Sequence, residues 1–192
     1  TSGVEQTDSS YRSENISIEL SRHEDNSTGR LVIYYVADIY VRSPEYIRTA
    51  IPARGYEPVL TMAAKQNAIL AINCDFSFGR IRGPIVRDGI GDVLVLYNNG
   101  EMKTFAADEF AVSEEAAKGI WNVWSFGPAL LDADGGRKTS FDTTVAEENP
   151  RTAIGYYEPG HYCIVIVNGR GTEGSRGYTM SQLSALFEEL GC

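Results

Sequence analysis

PRTAIGYYEPGHYCIVIVNGRG, residues 150–171, is the stretch on which the fold turns. Two runs rich in β-branched and aromatic residues flank a Pro-Gly pair, the composition of two antiparallel strands joined by a tight turn. Arg151 opens the first strand and Arg170 closes the second, so pairing predicts both guanidinium groups at one edge of the hairpin. Strand-like text recurs on either side. ENISIEL (14–20) alternates polar and apolar residues, and GRLVIYYVADIYV (29–41) is a longer β-branched and aromatic run. DVLVLYNNGEMKTF (92–105) reads as two strands around an Asn-Asn-Gly turn. GPIVRDG (83–89) and WNVWSFGPALLDADG (121–135) are strand-like as well. AILAINCDF (68–76) reads as a buried strand whose polar end emerges at Asn73 and Asp75.

Helical text is scarcer. PVLTMAAKQN (58–67) has apolar residues at helical spacing, and residues 108–118 predict a short helix. The clearest helix is TMSQLSALFEEL (179–190). Thr179 or Ser181 can cap it, Leu183, Leu186, Phe187 and Leu190 form one stripe, and Gly191 stops it. Strands outnumber helices and no GxGxxG follows a strand, which argues against a dinucleotide fold. The expected class is therefore α+β, a mixed, mostly antiparallel sheet core with a few packed helices. Residues 1–13 are polar and aperiodic and predict a flexible N-terminal segment; 14–192 is expected to be one domain.

A formal charge of −9 repels nucleic acid and anionic membranes, so neither is expected as a partner. The longest apolar run, YCIVIV at 162–167, falls far short of the roughly 20 residues of a membrane-spanning helix. Cysteines at 74, 163 and 192 match neither a zinc nor a CxxC spacing, and Cys163, mid-strand, is expected to be a small buried residue. The two histidines, His23 and His161, form no ligand-spaced cluster, and no GxSxG elbow is present.

Four polar constellations interrupt the strands. Asp75 stands where an apolar strand surfaces, a place for a base, nucleophile or metal ligand, or for a turn carboxylate bonded to nearby amides. Arg87 beside Asp88 is either a ligand contact or a surface ion pair. Gly127, before Pro128, is extended and leaves room for a ligand, or marks a kink into a strand. At the hairpin edge, Arg151 and Thr152 begin one strand while Asn168, Gly169 and Arg170 end its neighbour. Two adjacent guanidinium groups repel unless an anion lies between them, and their planar forks suit phosphate or carboxylate. The alternative is that each pairs with an acidic neighbour such as Glu173. That residue, in the loop TEGSRG (172–177), is itself a second candidate carboxylate.

Taken in order, AILAINCDF (68–76), GPIVRDG (83–89), FGPALL (126–131), PRTAIG (150–155), IVNGRG (166–171) and GYTMSQLSALFEELG (177–191) resemble the phosphodiester glycosidase family. The resemblance extends over residues 30–192. It implies an enzyme that cleaves a sugar-1-phosphodiester between the anomeric carbon and the phosphate oxygen, releasing a sugar from a phosphate-bearing glycan or conjugate. On that basis Asp75, Glu173 and Arg151 are the expected catalytic residues, with Asp75 nearest the sugar. Asn73, Arg87, Gly127, Thr152, Asn168, Gly169 and Arg170 are the expected substrate contacts. No metal ligand is assigned and no cofactor is required, although clustered Asp and Asn would accept a divalent cation such as Ca2+. A secreted or cell-surface location is expected.

The sequence departs from the family at Cys74, where a small residue is usual, and at Asn168, often an aspartate. The second change is expected to alter substrate choice or weaken catalysis. Family members continue past the helix into a strand and an Asn-Leu-Asp-Gly-Gly-Gly-Ser loop that helps to build the site. This sequence ends at Cys192, so a C-terminal continuation or a second chain is expected to complete it. The alternative functional class is a non-catalytic carbohydrate-binding module or an exopolysaccharide-assembly accessory that holds a phosphate-bearing polymer without cutting it.

Overall fold

Alternating apolar positions organise nine strands of the described residues into antiparallel ladders. The computed structural model describes residues 3–53, 55–74, 92–106, 108–125 and 127–192. In chain order the elements are β1 (Glu5–Gln6), β2 (Ser10–Arg12), β3 (Ile16–Asp25), β4 (Val32–Val41), α1 (Val59–Gln66), β5 (Val93–Tyr97) and β6 (Met102–Phe105). α2 (Val112–Ala117), β7 (Ile120–Ser125), β8 (Arg151–Glu158), β9 (His161–Val167) and α3 (Met180–Leu190) follow. The chain falls into two compact units, residues 1–42 with 127–192 and residues 43–126. The class is α+β, and every strand pair among the described residues is antiparallel.

The first unit is a six-stranded sheet in the order β1-β2-β3-β4-β9-β8. Its β8–β9 hairpin runs in register from Arg151 opposite Val167 to Gly155 opposite Cys163. Gly160 makes the turn at φ 89, and a Cβ there would lie 2.8 Å from the Val41 carbonyl oxygen. Only glycine fits. β3 and β4 pair along ten residues each. Residues 5–12, which composition leaves loose, instead add β1 and β2 at the sheet edge. Pairing such as Tyr11 with Ile18 supplies the order that apolar content does not.

α3 covers one face of this sheet. Thr179 accepts from the Gln182 amide while the Gln182 side chain accepts from the Thr179 amide, a capping box, and Gly191 at φ 77 ends the helix. Leu183, Leu186 and Phe187 are buried with Val36, Ala153, Cys163 and Val165 in one cluster, each large side chain contributing about 1.5–3 kcal/mol of burial. Ser184 is also fully buried on this helix. Its hydroxyl donates to Leu130 O at 2.7 Å and accepts from Lys138 N at 2.9 Å, which ties residues 130–138 to α3.

The second unit contains a three-stranded sheet, β6-β5-β7. The Asn98–Gly100 turn joins β5 to β6 as expected, with Gly100 at φ 87. Val93, Val95, Tyr97 and Phe110 form its core. The Tyr97 hydroxyl donates to the buried Glu115 on α2, and burial first, then that bond, pushes the phenol well above its ordinary range. α1 forms where predicted but buries no residue. The strand expected at 68–76 is not observed: residues 68–74 form none and none of them is buried. A strand exists only through its ladder, and these residues join none. Residues 75–76 and all of GPIVRDG lie outside the described residues. Within the strand-like stretch 121–135, β7 runs to Ser125, and among the described residues beyond it Leu131 forms an isolated bridge with Arg137.

Candidate functional site

Asn168, Arg170 and Glu173 occupy one loop, residues 168–177, between β9 and α3. Backbone bonds wind it tightly: Thr172 N to Gly169 O at 3.1 Å, Gly174 N to Gly171 O at 2.9 Å and Gly171 N to Ser175 O at 2.9 Å. Ser175 fastens it to the sheet. Its fully buried hydroxyl donates to Asn168 O at 2.6 Å and accepts from Ile33 N at 2.9 Å. A Cβ on Gly169 would lie 2.6 Å from Pro150 N, so this glycine serves close backbone approach in the interior.

Two non-glycine residues in the loop are left-handed, Arg170 at φ 55 and Glu173 at φ 51. Such geometry costs about 1–2 kcal/mol for each L-residue. Backbone strain held by a surrounding framework is a mark of functional segments. Glu173 Oε2 accepts from Asn168 Nδ2 at 2.6 Å and from the Tyr35 hydroxyl at 3.0 Å. An aspartate at position 168 would set two carboxylates against each other, whereas asparagine supplies a donor. The unusual Asn168 and the carboxylate at 173 are thus one arrangement.

Arg170 is exposed, with one guanidinium nitrogen 3.4 Å from Asn149 Oδ1. Together with Glu148, Gly171 and Arg176 it lines a cavity of about 210 Å3. The Glu148 carboxylate takes Arg30 at 3.0 Å and Arg176 at 3.5 Å. The cavity lining holds two guanidinium groups, Arg170 and Arg176, against one carboxylate, and is locally positive on an acidic chain. It can attract an anion.

Arg151 behaves differently. Its Nε donates to Tyr178 O at 2.9 Å, and its NH2 group donates to Val145 O at 2.7 Å, to Ala146 O at 3.5 Å and to Glu147 O. Burial lowers its pKa from the ordinary arginine value. The two arginines therefore do not repeat one another: main-chain carbonyls take up Arg151, while Arg170 lies three residues past the end of β9 in the loop. Thr152 follows Arg151 on β8, so its side chain leaves the opposite face of the sheet. Gly127, at φ 32, does not take the extended geometry expected before Pro128, and it has open space where a Cβ would stand. Asn73 is exposed in the non-strand segment 68–74. Asp75 and Arg87 lie outside the described residues.

Sequence reasoning missed Glu148, Arg176, Arg30 and Tyr35. For Arg176 a signal was present, a second arginine in the same glycine-rich loop. Arg30 and Tyr35 carry no local signal, because their partners Glu148 and Glu173 lie 118 and 138 residues further along the chain. Among the described residues, no group of three or more His, Cys, Asp or Glu side chains is placed to hold a metal ion. Nor is any described helix long and apolar enough to cross a membrane.

No curated protein matches the chain. A family model described as phosphodiester glycosidase matches residues 66–192, a span that starts later than the resemblance read from the sequence and includes the whole site loop.

Proposed function

The chain belongs to the phosphodiester glycosidase family, and from that premise we propose that it hydrolyses sugar-1-phosphodiesters, with loop 168–177 receiving the phosphate and the sugar. Water adds to the anomeric carbon as the bond from that carbon to the phosphate oxygen breaks. The bonding pair leaves with the phosphate, and the water proton passes to solvent or to the departing phosphomonoester. The second pKa of a phosphomonoester is about 6, so departure needs less help from a general acid than departure of a sugar hydroxyl does.

Arg170 and Arg176 bind the phosphate in this reading, and their charge counts most as negative charge gathers on the leaving oxygen. Glu173 faces the oxocarbenium-like centre. The observation that carries the proposal is the hold on this carboxylate: Asn168 and Tyr35 both donate to Oε2, in the loop whose Arg170 and Gly171 line the cationic cavity. Arg151 acts as a positioning residue that fixes residues 145–147 against β8. Asp75 is retained as the carboxylate nearest the sugar on the family resemblance alone.

The test is release of free sugar from a panel of UDP-sugars by the full-length protein. Glu173→Gln is expected to lower kcat about 100-fold or more, the scale of a lost catalytic carboxylate. Unchanged kcat and KM in that variant would remove Glu173 from the mechanism. Binding of UDP-sugars with no release by the wild type would favour the glycan-holding class instead.

A further inference from the structure

Cys163 lies in β9 and Cys192 follows the C-terminal Gly191 of α3, yet both sulfurs rest on one glycine. Gly155 is paired with Cys163 across the hairpin. A Cβ on Gly155 would stand 2.7 Å from Cys163 Sγ and 2.7 Å from Cys192 Sγ, with the Phe187 ring at 3.1 Å. Two atoms each 2.7 Å from a common point are separated by twice that at most, and the Cys192 thiol, held in no disulfide, donates to Phe187 O at 3.6 Å. The absent side chain at 155 is what makes room for both. Cys163 is fully buried and Cys192 partly so, which gives an oxidant access to one member of the pair.

We propose that Cys163 and Cys192 are a dithiol that closes to a disulfide, with a low-molecular-weight disulfide such as oxidised glutathione as the oxidant. Cys192 forms a mixed disulfide and releases one glutathione thiol. Cys163 then attacks the Cys192 sulfur and expels the second, so two protein thiols are oxidised and one glutathione disulfide is reduced to two thiols. Closure needs an S–S bond of about 2.05 Å, and Cys192, one residue beyond a helix stop, has the freedom to reach it. In the mixed disulfide the Cys192 sulfur stays beside the Cys163 sulfur across Gly155, and that proximity is what directs Cys163 to it. The ring closed in this way contains β9 from Cys163 onward, the entire loop 168–177 and α3. A redox couple in the core would therefore set the rigidity of the segment that carries Asn168, Arg170 and Glu173.

The test incubates the folded full-length protein with reduced or oxidised glutathione, followed by acid quench, alkylation in denaturant and tryptic mapping without reductant. The expected product is the peptide 152–170 joined to the peptide beginning at Gly177, lighter by two hydrogens than the separate pair. The oxidised form should unfold about 5–10 °C higher than the reduced form, and Cys192→Ser should abolish that difference. Recovery of Cys163 and Cys192 both alkylated after the oxidised incubation overturns the proposal. So does linkage of either to Cys74, or an oxidation-dependent shift that survives in Cys192→Ser.

Discussion

At the open end of the β8–β9 hairpin, the segment 145–151 folds its carbonyls around Arg151, whereas the loop 168–176 holds Arg170 out at a cavity. The two arginines look alike in sequence, each at a strand boundary beside a small residue. They differ in what surrounds them. Arg151 gives Nε and one terminal nitrogen to four main-chain carbonyls and is half-buried. Arg170 has one long contact to a side chain and a strained backbone. The lesson is that a guanidinium group at a strand end serves either architecture or recognition, and its hydrogen-bond partners tell which.

The largest effect that can break this contrast is expected from Arg151→Ala. Loss of charge-assisted bonds that leaves carbonyls part-buried should cost about 2–4 kcal/mol in urea unfolding. Arg151→Lys should recover only part of that, since a single ammonium cannot reproduce the fork. A variant with unchanged stability and no substrate binding would reverse the assignment and make Arg151 the phosphate ligand.

Next in size is Arg170→Ala. Stability should stay within about 0.5 kcal/mol, because the side chain is exposed. The KM for a sugar phosphodiester should rise about tenfold, equivalent to about 1.4 kcal/mol. The wild-type KM should also rise with added salt more steeply than that of the variant. Equal salt dependence in the two proteins would disconnect Arg170 from the anion.

The same contrast explains what was legible beforehand. The hairpin and α3 were readable because their signals are local: β-branched runs around Pro159-Gly160, and a capped stripe ending at Gly191. The loop 168–177 was readable as a place, since its glycines and polar residues follow a strand. Its internal wiring was not. By sequence alone Asn168 is a lost charge, whereas in the fold its amide donates to Glu173, and Arg30 and Tyr35 join only through long-range order. β1 and β2 were illegible for the opposite reason: their residues have ordinary polar composition, and pairing with β3 gives them their form. Residues 68–74 show the converse error, an apolar run taken for a strand without a ladder to hold it.

A subtler prediction separates side chain from backbone in the exposed arginine. Arg170→Gly should bind phosphodiester as poorly as Arg170→Ala does. The glycine variant should nevertheless be more stable than the alanine variant by about 1 kcal/mol, because only glycine takes φ 55 without steric cost. Equal stability would mean that the loop relaxes on truncation and that its geometry is no store of strain.

The smallest effect tests how firmly the architectural side is built. Tyr178 gives its carbonyl to Arg151 and its hydroxyl to Asp25, at 2.6 Å from Oδ2. Burial alone would raise the Asp25 pKa, but the bonds from Tyr178 and from Ser27 more than offset it, and the carboxyl stays below its ordinary value. A depressed folded-state pKa means that the bond contributes its stability above the unfolded pKa, about 3.9, and loses it as pH falls through the folded value. Tyr178→Phe should therefore cost stability at pH 7, and the gap from wild type should narrow as the pH falls below that range. The narrowing should be modest, since Asp25 is largely solvated and water screens the bond. If the gap in urea midpoints keeps its full width at low pH, the hydroxyl contributes through packing against the Tyr34 ring rather than through the carboxylate.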